Sequence, residues 1–146
     1  MSIQLVRILD ELPEGLAALR RQADVEGHRN LGRLQDEWAS GAQRFARGGE
    51  ALLAAFLDGE LAGVGGLTVE PAESTEPAMR LRRLYVAREM RRRGVARALS
   101  SALIQQAFET VSLATVHAGG SDAAAFWEAM DFRPVGGCAW SHELRR

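Results

Sequence analysis

Residues 80–97 read R-L-R-R-L-Y-V-A-R-E-M-R-R-R-G-V-A-R and hold the spacing Arg91-x-x-Gly94-x-Ala96 between an apolar run and a helical repeat. Within residues 81–86, Leu81, Leu84, Tyr85 and Val86 make a short β-favouring segment. From residue 95 onward, Val95, Ala98, Leu99, Ala102 and Leu103 recur at helical intervals. The sequence thus predicts a strand, a tight loop and a helix in succession. The first amides of a helix lack intrahelical acceptors and sit at the positive end of its dipole, so the loop favours an anion. Gly94 and Ala96 are small enough for phosphate to approach the backbone closely. The spacing predicts a seat for a pyrophosphate.

Charge sharpens that reading. Arg80, Arg82, Arg83, Arg88, Arg91, Arg92, Arg93 and Arg97, opposed by Glu89 alone, put the window at +7, while the whole chain is −1. The remainder therefore sums to −8, and the positive field is local. All 18 cationic residues are Arg and none is Lys. Arginine suits bidentate phosphate contacts, and the absence of Lys excludes a Walker-type lysine or a lysine Schiff base. A charge run alone is usually a solvated helix face. Strand, glycine spacing and helix together favour the ligand-binding reading.

At 146 residues, 47% hydrophobic and 25% charged, the chain is expected to form one domain, 1–146, with a sizeable core. It opens without a basic-then-apolar leader and has no apolar run of membrane-spanning length, so a soluble cytoplasmic protein with no membrane partner is expected. The single Cys138 cannot form an internal disulfide. It lies in an alternating, strand-like run at 138–142, without a His or Asp partner at a recognisable spacing, and reads as a buried small hydrophobe rather than a nucleophile. No zinc-like cluster occurs, so no metal is expected.

Along the chain the elements alternate without repeats or low-complexity tracts. Residues 3–8 read as an edge or near-edge strand and residues 13–23 as a helix with Pro13 near its start and Leu16 and Leu19 on one face. Asn30 is placed to cap a second helix carrying Leu31, Leu34 and Trp38. The runs 51–57 and 61–69, joined by Asp58-Gly59, signal a β-hairpin. After a polar loop, β-α-β-α order argues for a mixed sheet with helices on both faces.

The run Leu84-Tyr85-Val86 followed by Arg91-x-x-Gly94-x-Ala96 resembles motif A, Q/R-x-x-G-x-G/A, of the GNAT superfamily of acyl-CoA N-acyltransferases. Order and spacing extend the resemblance over most of the chain. Residues 51–69 resemble the family's central hairpin, 111–117 its fifth strand, and Ala123-x-x-Phe126-Trp127-Glu128-x-x-Asp131-Phe132 its A-x-x-x-Y-x-x-x-G-F helix end. The resemblance implies an α/β fold with six to seven mostly antiparallel strands, a splayed central pair and about four helices. It implies acetyl-CoA as cosubstrate, held by Leu84, Tyr85, Val86, Arg91, Arg92, Arg93, Gly94, Val95, Ala96, Arg97, Ser121 and Trp127. Pantetheine would pair with the strand at 84–86, and Arg83, which interrupts the apolar alternation there, fits the family's bulge. The Val86 amide would be the oxyanion donor.

Catalytic side chains are less clearly implied. The family often supplies the thiolate's proton from a Tyr where this chain has Trp127, and indole N–H is too weak an acid for that role. Ser121 could hold a water there, or cap a helix. No carboxylate stands between residues 79 and 87. Glu70 and His117, both at predicted strand ends, are the base candidates, His117 having the more suitable intrinsic pKa. Gly120 stands where the family often has Asn, and Asp131 replaces its usual Gly. The acceptor, a small-molecule or peptide amine, is expected between the first two helices, the hairpin and the C-terminal strands, where Glu26 and His28 would give an acidic rim suited to a cationic amine. Two other readings compete with an N-acetyltransferase: an acyl-CoA-binding module without turnover, and nucleic-acid binding through residues 80–97. A pI near 6.3 and the lack of aromatics among the arginines weigh against nucleic acid. Nothing in the pattern opposes a homodimer.

Overall fold

Asp58 and Gly59 both adopt positive φ, 51° and 87°, and turn β2 (Ala51–Leu57) back onto β3 (Glu60–Val69). Around this hairpin the computed structural model, which describes residues 2–146, builds a seven-stranded sheet. The other strands are β1 (Ile3–Arg7), β4 (Ala78–Val86), β5 (Leu113–Val116), β6 (Arg133–Pro134) and β7 (His142–Arg145), in the spatial order β1-β2-β3-β4-β5-β7-β6. Among the described residues only β4 and β5 pair in parallel. Parallel neighbours need a crossover, which α3 (Val95–Ala107) supplies across one face of the sheet. This is the mixed sheet that the element order predicts, mostly antiparallel and with four helices as the family resemblance implies.

The helices make the two faces different. On the back face, Leu103 and Ala107 of α3 and Trp127 of α4 (Ser121–Ala129) pack with Leu67, Met79 and Leu81. On the front face, α1 (Leu16–Val25) and α2 (Asn30–Ser40) bury Leu16, Leu31, Leu34 and Trp38 with Val64 and Tyr85. Alternate β4 residues therefore serve different cores until the bulge resets the phase. Val64 pairs with Tyr85 and Gly66 with Arg82, so Arg83 and Leu84 together oppose Gly65. Arg83 takes up the extra residue at φ 61°, a left-handed conformation unusual for a side chain of its size. Arg80, Arg82 and Tyr85 consequently share the front face, while Leu81, Leu84 and Val86 share the back.

Several boundaries differ from expectation, each for a local reason. Helix α1 starts at Leu16, because Gly15 at φ 94° precedes it and Pro13 closes a turn through the Leu16 amide. Asn30 does not cap α2: its Oδ1 accepts only from the Leu31 amide at 3.0 Å, and its Nδ2 donates to the Leu84 carbonyl at 2.9 Å. Strand β4 begins at Ala78, where pairing with β3 and β5 carries it through the polar Arg80. Strand β5 is only Leu113–Val116, since the Val111 amide still donates to Ala107 at the end of α3. The run 138–142 is not a strand over its length, and Cys138 is exposed in the loop before β7, not buried.

Candidate active site

Pairing between β4 and β5 ends at Arg80↔Thr115, yet β4 continues to Val86 and β5 stops at Val116. The strands part there and leave the β4 edge without a neighbour. The Ala87 amide donates to Ala62 on β3 at 2.7 Å, so the Val86 amide, one residue earlier, points to the opposite edge, toward the gap. Leu84 exposes its carbonyl on that same edge, where Asn30 takes it. The slot therefore presents the Val86 N–H and closes over with the start of α2.

At the mouth of the slot lies the loop before α3. Among the described residues the amides of Arg92, Arg93 and Gly94 donate no hydrogen bond, and the α3 ladder begins only with Ala98 donating to Gly94. Amides from Arg92 to Arg97 thus form one unpaired row at a helix N-terminus. Gly94 holds φ 82°, and a Cβ there would meet nothing within 4 Å, so the space beside it is open. Arg92, Arg93 and Arg97 are exposed and make no ion pair among the described residues. This row fits a pyrophosphate.

Arg91 is used differently. Its guanidinium forks onto Glu26 of the α1–α2 connection, its Nε donates to the Val86 carbonyl at 3.1 Å, and it lies 5.4 Å from the Tyr85 ring centroid. The Tyr85 hydroxyl also donates to Glu26. Arg91 and then Tyr85 hold the Glu26 carboxyl down at about 2, while burial and then Glu26 raise the Tyr85 phenol. The acidic rim expected at Glu26 is therefore neutralised within the protein. Because Glu26 ionises more readily folded than at its ordinary 4.5, its contribution is complete above that value and disappears as pH falls toward 2. Glu26→Gln is expected to lower the melting temperature at pH 7, with the gap from wild type closing between about pH 4.5 and 2 in a pH series of melts. A gap of the same size at pH 2 would contradict this account.

Of the two base candidates, Glu70 is buried just beyond β3 and fully engaged: it accepts both arms of Arg80 (2.8 and 3.1 Å), the Thr115 hydroxyl (2.7 Å) and the Ala72 amide (2.7 Å). Those bonds occupy the lone pairs that an amine proton would need. His117 is exposed one residue past β5 and makes no hydrogen bond among the described residues. Ser121 begins α4 without a side-chain cap bond and is exposed. Trp127 is buried in the back core between Phe126 and Phe132, both edge-on at 4.9 and 5.2 Å. Sequence reasoning did not single out Glu37 of α2, which binds Arg83 through both carboxylate oxygens at 3.0 and 3.1 Å and so holds the bulge. A cavity of about 420 Å³ opens between α1 and the hairpin turn, lined by Gly15, Gln22, Phe56 and Leu61. Ala87 and Glu89, just past the end of β4, also line it.

Comparison with known proteins bears on the family and the fold. The sequence matches the Acetyltransferase (GNAT) family over residues 14–132, and the chain belongs to that family. Among solved structures, a candidate acetyltransferase from Exiguobacterium sp. 255-15 is 23% identical with a TM-score of 0.87, over 99% of this chain and 94% of that one. An N-acetyltransferase from Staphylococcus aureus Mu50 is 14% identical with a TM-score of 0.72, over 99% of both chains. A mutant AtaT toxin, solved with the C-terminus of its antitoxin AtaR and acetyl-CoA, is 13% identical with a TM-score of 0.70, over 98% of this chain and 92% of that one. At these identities the likeness establishes the fold. No curated protein matches the sequence. No helix among the described residues is long and apolar enough to cross a membrane, and no group of metal-ligating side chains occurs among them.

Proposed function

We propose that the protein is an N-acetyltransferase that binds acetyl-CoA in the β4–β5 slot and passes the acetyl group directly to an amine. One observation carries the reading: the opened β4 edge at Leu84–Val86 leads, through the short turn at Arg88–Met90, to the unpaired amides from Arg92 to Arg97. Those amides, with Arg92, Arg93 and Arg97, would hold the pyrophosphate, and the Val86 amide would donate to the thioester oxygen as it gains charge. Acetyl-CoA supplies an acetyl group activated as a thioester. The amine nitrogen bonds to that carbonyl carbon, the carbon–sulfur bond breaks, and the amine's surplus proton leaves while the thiolate takes one up. A covalent enzyme intermediate is not part of the proposal, because the lone thiol, Cys138, is exposed beside the Trp140 carbonyl with no activating base.

A second reading, an acyl-CoA-binding module without turnover, has one observation in its favour. The only phenol in the chain, Tyr85, is tied to Glu26 and Gln22, and Trp127 stands where the family often has Tyr. One experiment separates them: titration of the protein with acetyl-CoA, followed by release of CoA thiol on addition of a mixed amine panel. Binding with thiol release supports the transferase, binding alone supports the module, and no melting shift at about millimolar acetyl-CoA sinks both.

A further inference from the structure

Three arginines follow one another on β4, and two of them are neutralised. Arg80 forks onto Glu70, and Arg83 forks onto Glu37. Arg82 lies between them, half-buried, and among the described residues its guanidinium donates no hydrogen bond and makes no ion pair. Its place in the fold is specific. The last β4–β5 pair is Arg80↔Thr115, so Arg82 is the first front-face residue beyond the parting of the strands and the last before the bulge. The front face at this point is bordered by α2, from which Glu37 reaches Arg83, and by Thr115 of β5. The Phe45 ring packs closely over Gly66, the β3 partner of Arg82.

A half-buried guanidinium with no hydrogen-bonded partner is costly to the fold, and the nearby carboxylates of Glu37 and Glu70, already bonded to Arg83 and Arg80, offset that cost only in part. Burial and then the neighbouring Arg83 disfavour its charged form and hold its pKa below the ordinary value. Exposed arginines have no such penalty, and a packing role would be filled at lower cost by Met or Leu. Five N–H donors without an acceptor in the protein, with both flanking guanidiniums already paired, leave hydrogen-bonding capacity for an anionic ligand to match. The pyrophosphate is accounted for by the amide row beyond the other end of the bulge. We infer that the acceptor amine carries an anionic group, carboxylate or phosphate, which Arg82 binds on the front face beside the slot. This rests on the acetyltransferase reading and narrows its acceptor class, in place of the cationic acceptor that Glu26 suggested.

The test uses matched amines on the full chain: β-alanine against β-alaninamide, 4-aminobutyrate against 4-aminobutanamide, and O-phosphoethanolamine against ethanolamine. In the wild type, kcat/KM is expected to be roughly tenfold or more higher for the anionic member of at least one pair, the pair showing whether carboxylate or phosphate is preferred. Arg82→Gln should abolish that preference while leaving the neutral members within about threefold, and Arg82→Lys should restore part of it. The Gln variant should melt no lower than the wild type, because it removes an unpaired charge. Equal wild-type rates within every pair, or equal loss on both members in Arg82→Gln, overturns the inference. If no amine releases thiol, the transferase reading fails and binding still decides Arg82: at about 20 mM, the acid but not its amide should raise the wild-type melting temperature, and not that of Arg82→Gln. Absence of any such difference overturns the assignment.

Discussion

Gly94→Glu is expected to fold as the wild type does and to lose at least about a hundredfold in acetyl-CoA affinity, which corresponds to about 2.7 kcal/mol. Three effects act together. Gly94 holds φ 82°, where an L-residue costs about 1–2 kcal/mol, so the loop is pulled away from its seat. Each charge-assisted bond lost from the amide row removes about 1.5–3 kcal/mol. The new carboxylate also places negative charge beside a polyanion. The fold is spared because a Cβ at Gly94 meets nothing within 4 Å, and Val95 and Leu99 keep α3 anchored in the back core. Calorimetric titration with acetyl-CoA, paired with a thermal melt, checks this. Undiminished affinity in a folded variant would place the pyrophosphate elsewhere on the molecule. Arg93→Ala, which removes one exposed side chain and no amide, should cost much less.

What could be read from the sequence is what neighbouring residues decide among themselves. The Asp58-Gly59 turn, the apolar stripes of α2 and α3, and the strand-loop-helix at 81–97 depend on spacing within a few positions, and all appear in the fold. The bulge was legible too, because Arg83 breaks an alternation that Leu81 and Val86 define on either side. Partners distant in sequence were not legible. Glu26 meets Arg91 and Tyr85 only because the α1–α2 connection folds over the end of β4, and Glu37 meets Arg83 only because α2 lies over the bulge. Glu70 reads as an ordinary strand-terminal residue until Arg80 and Thr115 close on it. In the same way Arg82 was hidden in a charge run: residue type gave its sign, and only the pairing of both neighbours left it unmatched. Asn30 has the composition of a cap but finds a stronger claim from the Leu84 carbonyl.

Trp127→Ala is expected to destabilise the protein by about 3–5 kcal/mol, the range for emptying a large aromatic from a packed core. At this chain length that lowers the melting temperature on the order of 10 °C. Trp127 is buried with edge-on contacts to Phe126 and Phe132, so it fastens α4 to the back of the sheet. Trp127→Phe keeps a ring in that cluster and should lose much less stability. The Phe variant also carries the chemical question. Indole cannot protonate a thiolate, so if Trp127 only packs, Trp127→Phe keeps kcat within a few fold. Trp127→Tyr would place a hydroxyl among Phe126, Phe132 and Met130, where an unpartnered buried donor costs about 1–3 kcal/mol, and a gain in kcat is expected only if that hydroxyl reaches the sulfur. Thermal melts and steady-state kinetics on the three variants separate packing from chemistry. A loss of about a hundredfold in kcat for Trp127→Phe, at unchanged acetyl-CoA affinity, would put the indole in the reaction itself.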